Sequence, residues 1–92
     1  MTKMKVRKVT DGDTFVTQDN TKVRLANVRA PEKGQRGAPQ ARKDLRELIS
    51  RKQVKVETVA RDSYGRVVAQ VKVGNKSVNK AMRAKGWKDK GK

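Results

Sequence analysis

Four short segments hold residues whose types and spacing could do chemistry: Asp11-Gly12-Asp13-Thr14, Val23-Arg24-Leu25, Ala30-Pro31-Glu32 and Asp62-Ser63-Tyr64-Gly65-Arg66. Their acids and arginines fall at strand ends and turns, where side chains of distant segments can meet. Carboxylates can hold a hard cation and activate water. Guanidinium forks can hold a phosphate and the charge that builds on it during displacement. Taken singly, each residue has a plainer reading. Asp11-Gly12 is a common tight turn, Arg24 an outward-facing strand charge, Glu32 a solvated loop carboxylate, and Arg66 the start of a strand. Taken together, on a chain of net charge +16, they read as a phosphate site.

Composition narrows the chemistry. The chain has no Cys and no His. The commonest zinc ligands, the imidazole base and the thiolate nucleophile are therefore absent. A metal here must be a hard ion held by oxygen, Ca²⁺ or Mg²⁺. The 25 basic residues against 9 acidic ones point to a polyanion, with nucleic acid ahead of anionic membrane. The basic residues are spread along the chain rather than gathered on one amphipathic helix, which argues against a membrane-surface helix. No apolar run approaches spanning length, and Met1-Thr2-Lys3-Met4-Lys5 lacks the apolar stretch of a signal peptide, which favours the cytoplasm. Aromatic content is 3%, too little for a single-strand binder built on successive base stacking.

The elements that position these residues follow from patterning. Met4, Val6 and Val9 mark a first strand, and Asp11-Gly12 a turn, with Asp13 opening the next strand. Thr14 to Thr17 return as the second, and Asp19-Asn20 signals a hairpin. Val23, Leu25 and Asn27 alternate on a third strand. Lys33 to Gly37 reads as an exposed loop, and Pro39 as the first turn of a helix. In that helix Ala41, Leu45, Leu48 and Ile49 recur at helical spacing up to Ser50. Val54, Val56 and Thr58 mark a fourth strand; Val67, Ala69, Val71 and Val73 mark a fifth, stopped by Gly74-Asn75. Val78, Ala81 and Met82 predict a short second helix closed by Gly86, with Trp87 over the core. This order predicts one mainly β (α+β) domain over 1–87, a five-stranded OB-type Greek-key barrel with two helices, followed by a basic tail at 88–92. An open α+β sandwich is the alternative. With 34% apolar residues the core should be thin.

Asp11-Gly12-Asp13-Thr14, Arg24-Leu25, Ala30-Pro31-Glu32, Asp62-Ser63-Tyr64-Gly65-Arg66 and Val78-Asn79 resemble the staphylococcal nuclease (thermonuclease-like) family, in order and in spacing, over roughly residues 4–87. The resemblance implies an OB-type barrel and calcium-assisted cleavage of DNA and RNA. It implies that Asp13 binds the metal, that the Ala30 backbone carbonyl completes the metal shell, and that Glu32 orients or deprotonates the attacking water. Arg24 and Arg66 would hold the phosphate and stabilise the five-coordinate transition state. Two departures stand out. The family has a second metal-binding Asp two residues before the Pro, where this chain has Arg29. Two like charges ~4 Å apart repel by ~1–4 kcal/mol, so Ca²⁺ (or Mg²⁺) should bind weakly, with Asp11 the spare carboxylate. Classical members also carry a third helix, which is not expected here after Gly86.

Two readings follow. In one, Asp13, Arg24, Glu32 and Arg66 make a working or weakened metal-assisted nuclease. In the other, Arg29 has turned the metal site into a basic pocket, leaving a non-catalytic nucleic-acid-binding module. Both expect a monomer that binds DNA or RNA largely without regard to sequence, and no membrane.

Overall fold

The first strand, β1 (Thr2–Asp11), serves two partners. Its first half pairs antiparallel with β4 (Gln53–Arg61), and its second half with β2 (Thr14–Thr17). Register shifts between Val6 and Lys8 and between Val9 and Asp11 bend it from one neighbour to the other. β2 pairs antiparallel with β3 (Lys22–Leu25), and β4 with β5 (Val67–Val73). The barrel closes where β3 runs parallel to β5, Val23 to Leu25 against Val67 to Ala69. Closure decides between the two architectures that patterning allowed: this is a closed five-stranded barrel with two helices, not an open sandwich. A computed structural model describes residues 2–88. No helix among them is long and apolar enough to cross a membrane.

Alternation works as expected on most strands. Val54, Val56, Val67, Ala69 and Val71 point inward and are buried with Phe15, Val23 and Leu25. Helix α1 (Ala38–Ile49) has Pro39 in its first turn and closes the core with Ala41, Leu45 and Ile49. Helix α2 (Val78–Ala84) starts at Ser77, whose Oγ accepts from the Lys80 N–H, and buries Val78 and Met82. Between β5 and α2 lies a two-residue strand, β6 (Lys76–Ser77), that patterning does not show. It folds back on β5 across Gly74, whose φ of 60° makes the turn tight enough.

Three expectations need correction. Asn27 does not continue β3; its φ of 60° breaks the extended backbone after Leu25 and turns the chain. Asp13 does not open β2 but is the second residue of the Gly12–Asp13 turn, although its carbonyl still accepts the Leu25 N–H at 2.8 Å. Lys88 is not frayed, because it bridges antiparallel to Val28. The rest of the expected tail, 89–92, lies outside the described residues.

Asn79 joins helix to barrel at the closure. Fully buried, it donates to the Ala26 and Ala69 carbonyls at 2.9 and 3.0 Å and accepts the Val71 N–H at 2.8 Å. Ala69 keeps a second partner in the Ala26 N–H, so removing the amide strands chiefly Val71 N–H and Ala26 C=O. Each buried unsatisfied group costs ~1–3 kcal/mol. Asn79→Ala is expected to destabilise the fold by ~2–5 kcal/mol, read as a fall in the urea midpoint at unchanged slope; a midpoint equal to the parent's would contradict this role.

Candidate phosphate cleft

One cleft of about 250 Å³ is lined by Asp11, Asp13, Arg24, Arg29, Ala30, Glu32, Gln35 and Arg66. It gathers all seven residues singled out in the sequence and adds Gln35. Three elements supply them: the β1–β2 turn, strand β3 with the loop after it, and the start of β5. Because β3 and β5 are neighbours at the closure, Arg24 and the segment leading from Arg66 lie side by side.

The β1–β2 turn sits deep because helix α1 comes close to it. A Cβ on Gly12 would lie 2.5 Å from the Ala41 Cβ and 2.8 Å from the Ala30 Cβ. The motif's glycine is therefore set by close approach of helix and loop, not by a left-handed turn. Next to it Asp13 is buried, and its carboxylate is already well occupied. Oδ1 accepts the Thr14 hydroxyl at 2.9 Å, and Oδ2 accepts the Ala30 N–H at 3.4 Å. Arg24 Nη2 stands 3.8 Å from Oδ2, while Nη1 donates to the Leu25 carbonyl at 3.1 Å. Arg24 is thus half-buried and turned into the cleft, not outward.

Arg66 is held from its own turn. Its Nε donates to Asp62 Oδ2 at 2.6 Å, its backbone N–H to Asp62 Oδ1 at 2.9 Å, and Nη1 reaches Thr14 Oγ1 at 3.5 Å. The guanidinium carbon lies 5.6 Å from the Tyr64 ring centroid. Burial pushes the Asp62 carboxyl upward, but the N–H groups of Arg66 and Tyr64 and the Arg66 guanidinium together hold it below the ordinary aspartate value. Glu32 is exposed on the opposite loop. Gln35 shapes that loop: its Oε1 accepts the Glu32 N–H at 2.8 Å and its own N–H donates to the Glu32 carbonyl at 2.9 Å. Gln35, Thr14 and Asp62 were not assigned tasks from sequence. The Glu-x-x-Gln spacing ahead of a helix is the signal that could have found Gln35.

The donor set can be tested against the Ca²⁺ that the resemblance implies. Calcium takes six to eight oxygens, usually several from carboxylates. Among the described residues no group of three or more Asp, Glu, His or Cys side chains could hold a metal ion. Asp13 is tied to Arg24, and Arg29 lines the same cleft. These residues do not fit a tightly held calcium. Arg24, Arg29 and Arg66 line the same cleft as these acids, and guanidinium groups are suited to an anion such as phosphate.

The chain matches the model of the family described as staphylococcal nuclease homologue over residues 22–88. It is 36% identical over 86 residues to an uncharacterized endonuclease of Haemophilus influenzae, covering 89% of this chain and 48% of that protein. It is 39% identical over 70 residues to an uncharacterized endonuclease of Escherichia coli, covering 73% and 46%. It is 39% identical over 69 residues to a micrococcal nuclease of Shigella flexneri, covering 72% and 40%. The chain spans about half the length of these relatives or less.

Two outcomes are expected. Arg29→Asp removes a cation and adds an anionic oxygen, so Ca²⁺ affinity by calorimetry should rise at least about tenfold, ~1.4 kcal/mol; a parent that already binds as tightly would mean that these residues hold calcium despite Arg29. Asp62, depressed in the folded state, contributes stability that is full above the ordinary value of 3.8 and is lost as pH falls through its lower folded value. Asp62→Asn should therefore melt below the parent at neutral pH, with the gap closing under acid. A gap independent of pH would mean that the Arg66 anchor is not ionic.

Proposed function

This chain belongs to the staphylococcal nuclease family, and on that premise we propose that it hydrolyses phosphodiester bonds in DNA or RNA. The observation that carries the proposal is the cleft itself, which is lined by Arg24, Arg29 and Arg66 and by the exposed Glu32 and is roomy enough for a phosphodiester. Asp13 orients Arg24, and Asp62 with Thr14 orients Arg66. Two prepositioned forks can each take a non-bridging oxygen of the scissile phosphate. Glu32 accepts a proton from a water, whose oxygen attacks phosphorus as the bond to the leaving sugar oxygen breaks. The charge gathering on the phosphate oxygens falls between the forks, where it is worth most. The leaving oxygen takes a proton from solvent.

Arg29 gives this cleft a third cation where the family resemblance implies an acid. Ca²⁺ or Mg²⁺ is accordingly held weakly, and cleavage is weaker than a fully equipped metal site would give. The net charge of +16 supports sequence-independent binding that falls steeply with salt. The second reading, a binding module without catalysis, draws on the same Arg29. Glu32 argues against it, since a carboxylate beside a bound phosphate weakens binding.

Glu32→Gln separates the two. On single-stranded RNA and plasmid DNA its turnover should fall roughly 10²–10⁴-fold with affinity within about threefold of the parent. Equal turnover in parent and variant overturns the role of Glu32. No turnover in the parent, with Ca²⁺, with Mg²⁺ or with chelator, leaves the binding module as the function.

A further inference from the structure

The cleft sets three acids against three arginines, so the surplus of sixteen positive charges lies elsewhere on the chain. A groove of about 280 Å³ at the C-terminal end of helix α1 gathers four cations: Arg7 and Lys8 of β1, Arg46 of the last helical turn, and Arg51 just past it. Val6, Val9 and Ser50 complete its wall, and no acidic side chain lines it. It shares no residue with the cleft. The cleft lies toward the other end of α1, where Gln35 accepts the Ala38 N–H and Gly12 packs on Ala41. We propose that this groove is a second anchor for nucleic acid, which grips the phosphate backbone outside the segment that lies in the cleft.

The ordinary preference of a helix end for cations accounts for part of the cluster only. Arg46 offsets the negative end of the α1 dipole. Arg51 has no such excuse. Its φ of 60° is left-handed, a conformation that glycine takes freely and an arginine takes at a cost. Glycine is the usual residue at this place after a helix. The chain holds a long cation there instead, and its side chain lines the groove. Arg7, Lys8, Arg46 and Arg51 are all exposed, and among the described residues none of them is in an ion pair. Arg7 alone has a side-chain hydrogen bond, donated to Asn20 Oδ1. The helix carbonyls nearest the groove are already occupied: those of Arg46 and Ile49 accept the Ser50 and Lys52 N–H groups at 2.8 and 3.0 Å. Three of the four cations are arginines, whose forks match phosphate oxygens. The two valines are buried and half-buried, so the groove offers no exposed apolar side chain with which to enter a bilayer surface. A phosphate backbone needs only the cations and is held without regard to sequence. Helix α1, twelve residues and ~18 Å long, separates the groove from the cleft, so a strand longer than the cleft holds gains from lying on both.

The proposal rests on the nucleic-acid part of the function proposed above, and its test separates the two. In a Glu32→Gln background, which stops turnover, Arg46→Gln and Arg51→Gly are combined. A control pair, Lys72→Gln with Lys76→Gln, removes the same charge from β5 and β6, which line neither concavity. Binding of an end-labelled tetranucleotide and of a strand of about twenty nucleotides is read by anisotropy over a salt series. The groove pair is expected to weaken the long strand at least about tenfold and to flatten its log–log salt slope by about one to two, with the tetranucleotide within about threefold. The control pair is expected to cost less than about threefold on either. Arg51→Gly alone is expected to melt at or above the parent, because it relieves the left-handed backbone. The anchor is overturned if the long strand binds the groove pair unchanged, or if the control pair weakens it as much. It is also overturned if Arg51→Gly melts below the parent, which would make Arg51 a structural residue. Polyglutamate bound more tightly than the long strand, and lost with the groove pair, would overturn it in favour of an acidic protein partner. If neither strand binds, the nucleic-acid reading and the anchor fall together. Loss of the long strand as expected, in a chain that cuts nothing with Glu32 intact, supports the anchor and overturns only the catalytic reading.

Discussion

The Asp13 carboxylate lies buried in a turn, with the Thr14 hydroxyl and the Ala30 N–H on its oxygens and the Arg24 guanidinium 3.8 Å away. That cluster couples three parts of the chain: the β1–β2 turn, strand β3 and the loop that carries Glu32. It also uses lone pairs that a calcium ion would need. A carboxylate with an arginine beside it is an anchor for that arginine, and Arg24 is held in the cleft by it. Arg66 is anchored in the same way by Asp62, one turn earlier in its own segment. Two acids thus spend their charge on orienting two guanidinium groups, and Arg29 adds a third to the same space. The chain as a whole carries +16, but the cleft itself is charge-balanced, since Asp11, Asp13 and Glu32 line it together with Arg24, Arg29 and Arg66.

The barrel makes this possible through close approach at two places. At Gly12 the helix and the Ala30 loop come within contact of the turn backbone, which sinks Asp13 below the surface. At the parallel β3–β5 seam, Asn79 satisfies backbone groups that the strands alone leave open. Neither contact touches a phosphate, yet each fixes one wall of the cleft. Trp87 adds a further tie, since it is bound to α1 through Asp44 and to the cleft through the Arg29 N–H.

Much of this was legible from residue pattern. Alternation at Val54, Val56, Val67, Ala69 and Val71 marks strands buried on one face, and the Ala41–Leu45–Ile49 spacing marks α1. The acids and arginines were found because each belongs to a short motif at an element's end. What pattern could not show is contact. Arg24 looks outward in a strand of alternating polarity and is drawn inward only because Asp13 folds beneath it. Gly12 looks like a turn glycine and is a packing glycine. Asn27 fits strand alternation, but its left-handed backbone ends the strand. Thr14 meets Arg66 from 52 positions away, a contact that only the folded barrel brings about, whereas Gln35 and its partner Glu32 are close in the chain. Strand β6 has only two residues, too few for any periodicity to register.

We propose that arginines, rather than a tightly held metal, grip the phosphate in this cleft. The most direct measurement is NMR of the guanidinium Nε–Hε groups during titration with a non-hydrolysable phosphodiester analogue, first in chelator and then with Ca²⁺. The resonances of Arg24, Arg29 and Arg66 are expected to shift together and saturate in chelator, with little further change when Ca²⁺ is added. Resonances that stay still in chelator and move only with Ca²⁺ would contradict it.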